Sequence, residues 1–262
     1  MNLIKAHAFG NDFLLLDATA APSGAEAAAL ARALCERHRG IGADGLITYA
    51  LTDRGAAMRL LNADGSPSEI SGNGVRCLAA WIAASRGLGP GASVEVATDA
   101  GVKRLELLSL KDGEYAFRAA MGHPERVEQR TLDVAGAQVT VVTLRVGNPQ
   151  CVVLGPVTTE RLQTLAAALA VHPHFPEGTN VELATVEAPA RVRILIWERG
   201  VGPTEASGTG ACAAAVAAIR FGGASRDVQV LAPGGTQRVE WRDDGLYLTG
   251  SAALVAEVTW LG

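Results

Sequence analysis

Over most of this chain apolar residues alternate or cluster in short runs, the period of strands rather than of helices. LIKAHAF from Leu3 and FLLLD from Phe13 read as two strands, and GLITYA from Gly45 and MRLL from Met58 as two more. Ala25 to Cys35 carries Ala and Leu at helical spacing. A longer helix opens at Ser71, followed by a loop marked by Gly87, Gly89, Pro90 and Gly91. The order then recurs: VTVVTLRV, CVVL, a helix from Thr159 to Ala170, NVELATV, VRILIW and a helix opening at Ser207. Pro173 and Pro176 break the chain after the first of these helices. Strands therefore outnumber helices, with two helices in each half, and DRGAAMR from Asp53 reads as a solvated turn leading into a strand.

The recurrence extends to residue identity. SGNGVRCLAAWIAA from Ser71 returns as SGTGACAAAVAAI from Ser207, an offset of 207 − 71 = 136 in 262 residues. Near that offset Gly10 and Asn11 fall on Gly147 and Asn148, the strand ending in Asn62 on the strand ending in Glu198, and TDAGVKRLEL from Thr98 on APGGTQRVEW from Ala232. A period of half the chain is too long for a solenoid and indicates duplication of a whole domain.

SGNG and SGTG have the chemistry of helix starts built to receive an anion. Serine is a preferred N-cap, glycine lets backbone approach a ligand without a Cβ in the way, and the first-turn N–H groups and helix dipole favour a carboxylate or phosphate. Two such entrances, related by the duplication, are expected to serve one site between the halves and to grip a small carboxylate. Asp64 and Glu69, near the first entrance, have the charge to bind an ammonium or the geometry to cap a turn.

Composition narrows the classes. With 48% hydrophobic residues the chain can bury substantial cores. A net charge of −4 and a pI near 5.8 leave no basic field for nucleic acid. No apolar run reaches the length of a membrane span and MNLIKAHAFGNDF lacks an apolar signal core, so a cytoplasmic protein is expected. Cys35, Cys77, Cys151 and Cys212 show no CxxC spacing and are read as reduced thiols, with Cys77 and Cys212 packed inside their helices. His7, His38, His123, His172 and His174 have no metal-ligand spacing, and no metal is expected.

KAHAFGNDF, NADGSPSEISGNGVRC, VGNPQC, GTNVE and ERGVGPTEASGTGACA, in chain order and spread over most of the length, resemble the diaminopimelate epimerase family. The resemblance implies an α+β fold of two pseudo-symmetric domains, residues 1–115 and 116–250, with a final strand at about 251–262 returning to the first. Each domain would be a curved, mostly antiparallel sheet around a central helix, with the active site in the cleft between them. It also implies a small-molecule substrate, no cofactor, a homodimer, and interconversion of L,L- and meso-2,6-diaminopimelate by two-base proton transfer at an α-carbon. By the same resemblance Asn11, Asn62, Asn148, Asn180 and Arg199 hold the distal amino-acid end of the substrate. Gly72, Asn73, Gly208 and Thr209 offer backbone amides to the carboxylate at the reacting end.

The chain departs from the family where the chemistry is done. The two family cysteines fall on Ser71 and Ser207. Gln150 stands where the family places a histidine thought to tune the cysteines, while its presumed partner Glu198, which also borders the substrate, is kept. A hydroxyl is far less acidic than a thiol and neither serine has a histidine beside it in sequence, so a poor or inactive epimerase is expected. Two accounts of the serines stand together: a natural pair of cysteines replaced, or a protein diverged towards amino-acid binding or towards another reaction of the wider group of racemases, isomerases and dehydratases.

Overall fold

A buried helix must present side chains that the surrounding sheet can pack against: Ala and Gly dominate in the helix Gly208–Phe221, and the helix Gly72–Ser85 mixes them with Val75, Leu78 and Ile82. The computed structural model describes residues 1–68 and 71–262. They divide into one unit of Met1–Ala119 with Gly250–Gly262 and a second of Ala120–Thr249.

In the first unit, β1 (Asn2–Ala8) and β2 (Asn11–Asp17) form a hairpin whose two turn residues, Phe9 and Gly10, both have positive φ, 56° and 82°. That conformation costs glycine nothing and explains Gly10 in the turn. The chain continues through α1 (Gly24–Cys35), β3 (Gly45–Thr52), β4 (Gly55–Asn62), the two-residue β5 (Pro67–Ser68), α2 (Gly72–Ser85), β6 (Ser93–Thr98), β7 (Gly101–Lys111) and β8 (Glu114–Gly122). β2 runs parallel to β3 and β4 to β6, while β3 with β4, β6 with β7 and β7 with β8 are antiparallel.

One face of this sheet meets α2 through Phe13, Leu15, Ile47, Val94, Val96, Leu105 and Leu107, all buried. The opposite face takes α1 on Leu3, Leu14, Leu16 and Leu46. Each large apolar side chain so buried contributes about 1.5–3 kcal/mol. α2 itself is buried almost all round from Asn73 to Ala83, as a central helix must be.

The second unit repeats the plan. β9 (Glu125–Val134), β10 (Ala137–Val146) and β11 (Asn148–Leu154) lead to a helical run of α3 (Thr159–Arg161), a π-helical turn (Leu162–Ala166) and α4 (Ala167–Ala170). Then come β12 (Asn180–Ala188), β13 (Arg191–Glu198), β14 (Gly202–Thr204), α5 (Gly208–Phe221), β15 (Asp227–Ala232), β16 (Gly235–Arg242) and β17 (Gly245–Thr259). The pairing signs match strand for strand: β11 is parallel to β12 and β13 to β15, with antiparallel pairs elsewhere. α5 is buried from Gly210 to Ala218 against β10, β11, β12, β13, β15 and β16. β17 continues into the first unit, where Ala253–Thr259 pairs antiparallel with β1. The fold is thus mixed α+β, mostly strands, two copies of one plan. Among the described residues no helix is long and apolar enough to cross a membrane.

Candidate active site at two capped helix entrances

Ser71 and Ser207 take the same local geometry. Each is the N-cap of its helix in extended backbone, and each Oγ accepts from the amide three residues on, Gly74 at 3.1 Å and Gly210 at 3.2 Å. The first intrahelical bonds run from Val75 N to Ser71 O and from Ala211 N to Ser207 O. The amides of Gly72, Asn73, Gly208 and Thr209 therefore lie in the turn that has no helical acceptor.

Around the first entrance the structure joins several of the predicted residues. Asn73 donates to Asn11 Oδ1 at 3.1 Å and accepts from the buried Arg76, whose guanidinium also lies over the Phe9 ring. Asn11 in turn donates to Asp44 at 2.7 Å. Asp44 shares Arg37 with Asp12, and Asp12 also meets Lys5. Burial alone would raise the Asp12 carboxyl, but hydrogen bonds from Arg37 and Lys5 outweigh it and hold the group below the usual carboxylate range. Asn62 stands apart from this network, its amide donating to Ser66 Oγ across the turn after β4. Asp64 also closes that turn through Ser66, and Glu69 lies outside the described residues.

The second entrance has a different character. Asn180 accepts from the Arg199 amide at 2.8 Å, and the Arg199 guanidinium donates to the Glu177 carbonyl. Gln150, paired in register with Asn180, donates to Asn148 at 2.6 Å and leaves its own Oε1 buried without a partner. Burial raises the Glu198 carboxyl, and a hydrogen bond from Ser207 works against that rise. The serine that lacks a histidine in sequence therefore has a carboxylate in space.

Beneath it lies a group that the sequence analysis missed. Glu182 is fully buried, neither carboxyl oxygen has a partner, and a Cβ on Gly210 would sit 2.6 Å from its Oε1. Burial, then the Glu198 charge, push this carboxyl well above its ordinary range. Strand pairing places it at the position of Ile47 in the first unit, since β2 and β3 pair Leu15 with Ile47 as β11 and β12 pair Val152 with Glu182, an equivalence that the sequence repeat alone did not expose.

The four cysteines are free and buried. Cys77 sits in the α2 core, its thiol pushed up to about 12 chiefly by burial, which suits packing and not acid–base work. Among the described residues no cluster of His, Cys, Asp and Glu has the form of a metal site.

A family model described as diaminopimelate epimerase matches residues 3–127 and 142–255. The chain belongs to the diaminopimelate epimerase family. A diaminopimelate epimerase of Desulforudis audaxviator is 40% identical over 280 residues, covering 100% of this chain and 99% of the relative. One of Desulfitobacterium hafniense is 39% identical, with 97% and 96% covered. Among solved structures, a predicted epimerase from Pseudomonas aeruginosa aligns with a TM-score of 0.73 at 19% identity, covering 100% of this chain and 99% of that one. A probable proline racemase from Agrobacterium radiobacter aligns at 0.72 and 16% identity, with 99% and 92% covered. At those identities the likeness is one of fold, and it is the fold of the diaminopimelate epimerase family that the duplicated units share.

Proposed function

We propose that this chain is built as a cofactor-independent diaminopimelate epimerase with serine at both proton-transfer positions, acting on L,L- and meso-2,6-diaminopimelate in the supply of lysine and peptidoglycan precursors. The observation that carries the proposal is the pair of equivalent helix entrances, serine-capped with first-turn amides ahead of the first helical bond, in a chain of this family. Those amides suit the carboxylate at the reacting carbon and would stabilise charge as the α-proton leaves. Asn11, Asn62, Asn148, Asn180 and Arg199 suit the distal end: amides read an ammonium and a carboxylate, and a guanidinium with five donors keeps several after the bond to Glu177. Glu198 and Gln150 take the tuning positions around Ser207.

A free thiol has a pKa of about 8.5, which a helix N-terminus lowers, whereas a hydroxyl is a far weaker acid. Turnover by this chain is therefore expected to be slow or absent. NMR of L,L-diaminopimelate in D₂O, with this chain beside Ser71→Cys/Ser207→Cys, measures it through loss of the α-proton signal and growth of the meso form. Exchange and epimerisation by the cysteine variant support the reading, and silence from both proteins rejects it. The second reading, a non-catalytic amino-acid binder, is favoured by the commitment of both serine oxygens to helix caps. It predicts tight calorimetric binding without turnover even in the cysteine variant. The family reading also carries a cytoplasmic homodimer, for which sedimentation at micromolar concentration is the check.

A further inference from the structure

We propose that Glu182 is a positioning residue of the α5 entrance, a carboxylic acid kept uncharged behind the first turn so that the helix end can receive an anion, and closing that end when it ionises. The proposal rests on the reading that a substrate carboxylate is held there.

The two halves supply an internal comparison. In the first, the residue packed beneath α2 is Ile47, and a Cβ on Gly74 would sit 2.9 Å from its Cδ1. In the second, the equivalent place beneath Gly210 holds Glu182 Oε1. The fold is satisfied by a hydrocarbon at this position, so packing does not require the carboxyl. A buried acid with no hydrogen-bond partner is also costly to keep. Its placement is not neutral for the helix: it lies against the turn where the dipole is positive and where Gly210 N bonds Ser207 Oγ. As an acid it leaves that positive end intact. As a carboxylate it would neutralise the helix end and repel an anion arriving from the other side.

The groups around it fix the direction of its response. Burial acts on it most, and the Glu198 carboxyl of β13 adds to that effect. Cys151 of β11 is raised mainly by burial, and a charge on Glu182 would raise it further. Cys212 is the titratable side chain of the adjoining part of α5, where it is buried. Arg191 and Arg193 of β13 are engaged with Glu187 at the far end of β12, and Arg220 lies in the last turn of α5. Burial and the Glu198 charge therefore both favour the protonated form, and its ionisation falls on the alkaline side of the ordinary carboxylate range.

The Gly210 amide resonance, followed against pH in ¹⁵N-labelled protein, tests this. Wild type is expected to show a step on the alkaline side of the carboxylate range, and Glu182→Gln and Glu182→Ile are expected to show none. Glu182→Ile copies the packing of the first half and serves if the glutamine variant does not fold. No step in wild type, or a step that persists in the variants, overturns the proposal. Diaminopimelate binding by calorimetry gives the functional arm. Beyond the step, wild-type affinity should fall by about tenfold per pH unit relative to Glu182→Gln, a ratio that cancels ionisation of the ligand's own amines. Parallel profiles overturn the proposal. If neither protein binds diaminopimelate at any pH, the substrate reading is what fails, and the Gly210 titration still decides the state of Glu182.

Discussion

The strand NVEL from Asn180 alternates polar with apolar residues, and alternation of that kind normally turns its polar side to water. In β12 it does not, because α5 covers the face that bears Asn180 and Glu182, while the helical run 159–170 covers the face that bears Val181 and Leu183. Periodicity reports which residues share a face and is silent on whether that face is wet, which is why Glu182 was illegible and the serine caps were not. Glu182→Ile is expected to raise stability by about 1–3 kcal/mol, the usual cost of a buried group left unpaired. The gain should grow with pH. A carboxyl raised on folding costs the fold least below its unfolded value, near 4.5, and costs it progressively more as pH climbs towards the folded value. Urea unfolding at several pH values tests it, and a gain that shrinks with pH would rule the account out. Asp12 runs the other way: lowered on folding, it supports the fold above its unfolded value of 3.8 and withdraws that support as acid approaches. Asp12→Asn should therefore cost most near neutral pH and least in acid.

At the scale of elements, the entrances of α2 and α5 were readable because capping chemistry is local: serine, then glycine, then an apolar run. What lies under each first turn depends on strands far away in sequence, and here the two helices part. Gly74→Ala meets Ile47 Cδ1 at 2.9 Å and Ser71 Cβ at 3.4 Å, whereas Gly210→Ala meets a carboxyl oxygen of Glu182 at 2.6 Å and Ser207 Cβ at 3.2 Å. The second substitution is expected to cost more, and Gly210→Ala/Glu182→Ala to be less damaging than the sum of its parts. A double-mutant cycle by thermal unfolding measures the coupling, and strict additivity would exclude direct contact. The same limit hid the π-helical turn at Leu162–Ala166. Its apolar spacing reads as an ordinary helix, and the extra residue per turn is visible only once Leu162, Ala166 and Leu169 are packed.

For the molecule as a whole, the duplication made architecture legible before any strand was paired, since two matched runs of elements must make two matched units. The repeat could not supply the asymmetry that follows from it. The first half places Ile47 and Asn62 where the second places Glu182 and Glu198, so the carboxyls that burial raises stand in one copy of a symmetric plan, while the acids of the first entrance, Asp12 and Asp44, are paired with cations. Membership of the family came from five motifs and is shown over almost the full length.

The pairing of Asn2–His7 with Ala253–Thr259, reinforced by the Met1 amine on the Trp260 carbonyl, also sets an order of events during synthesis. Residues 120–249 form an uninterrupted stretch and can complete their unit as they leave the ribosome. The unit begun first must wait with one edge of β1 unpaired until residues 253–259 emerge, and an open strand edge is a template for association with other chains. Nascent protein is thus most exposed to aggregation along β1 in the interval before residues 253–259 emerge.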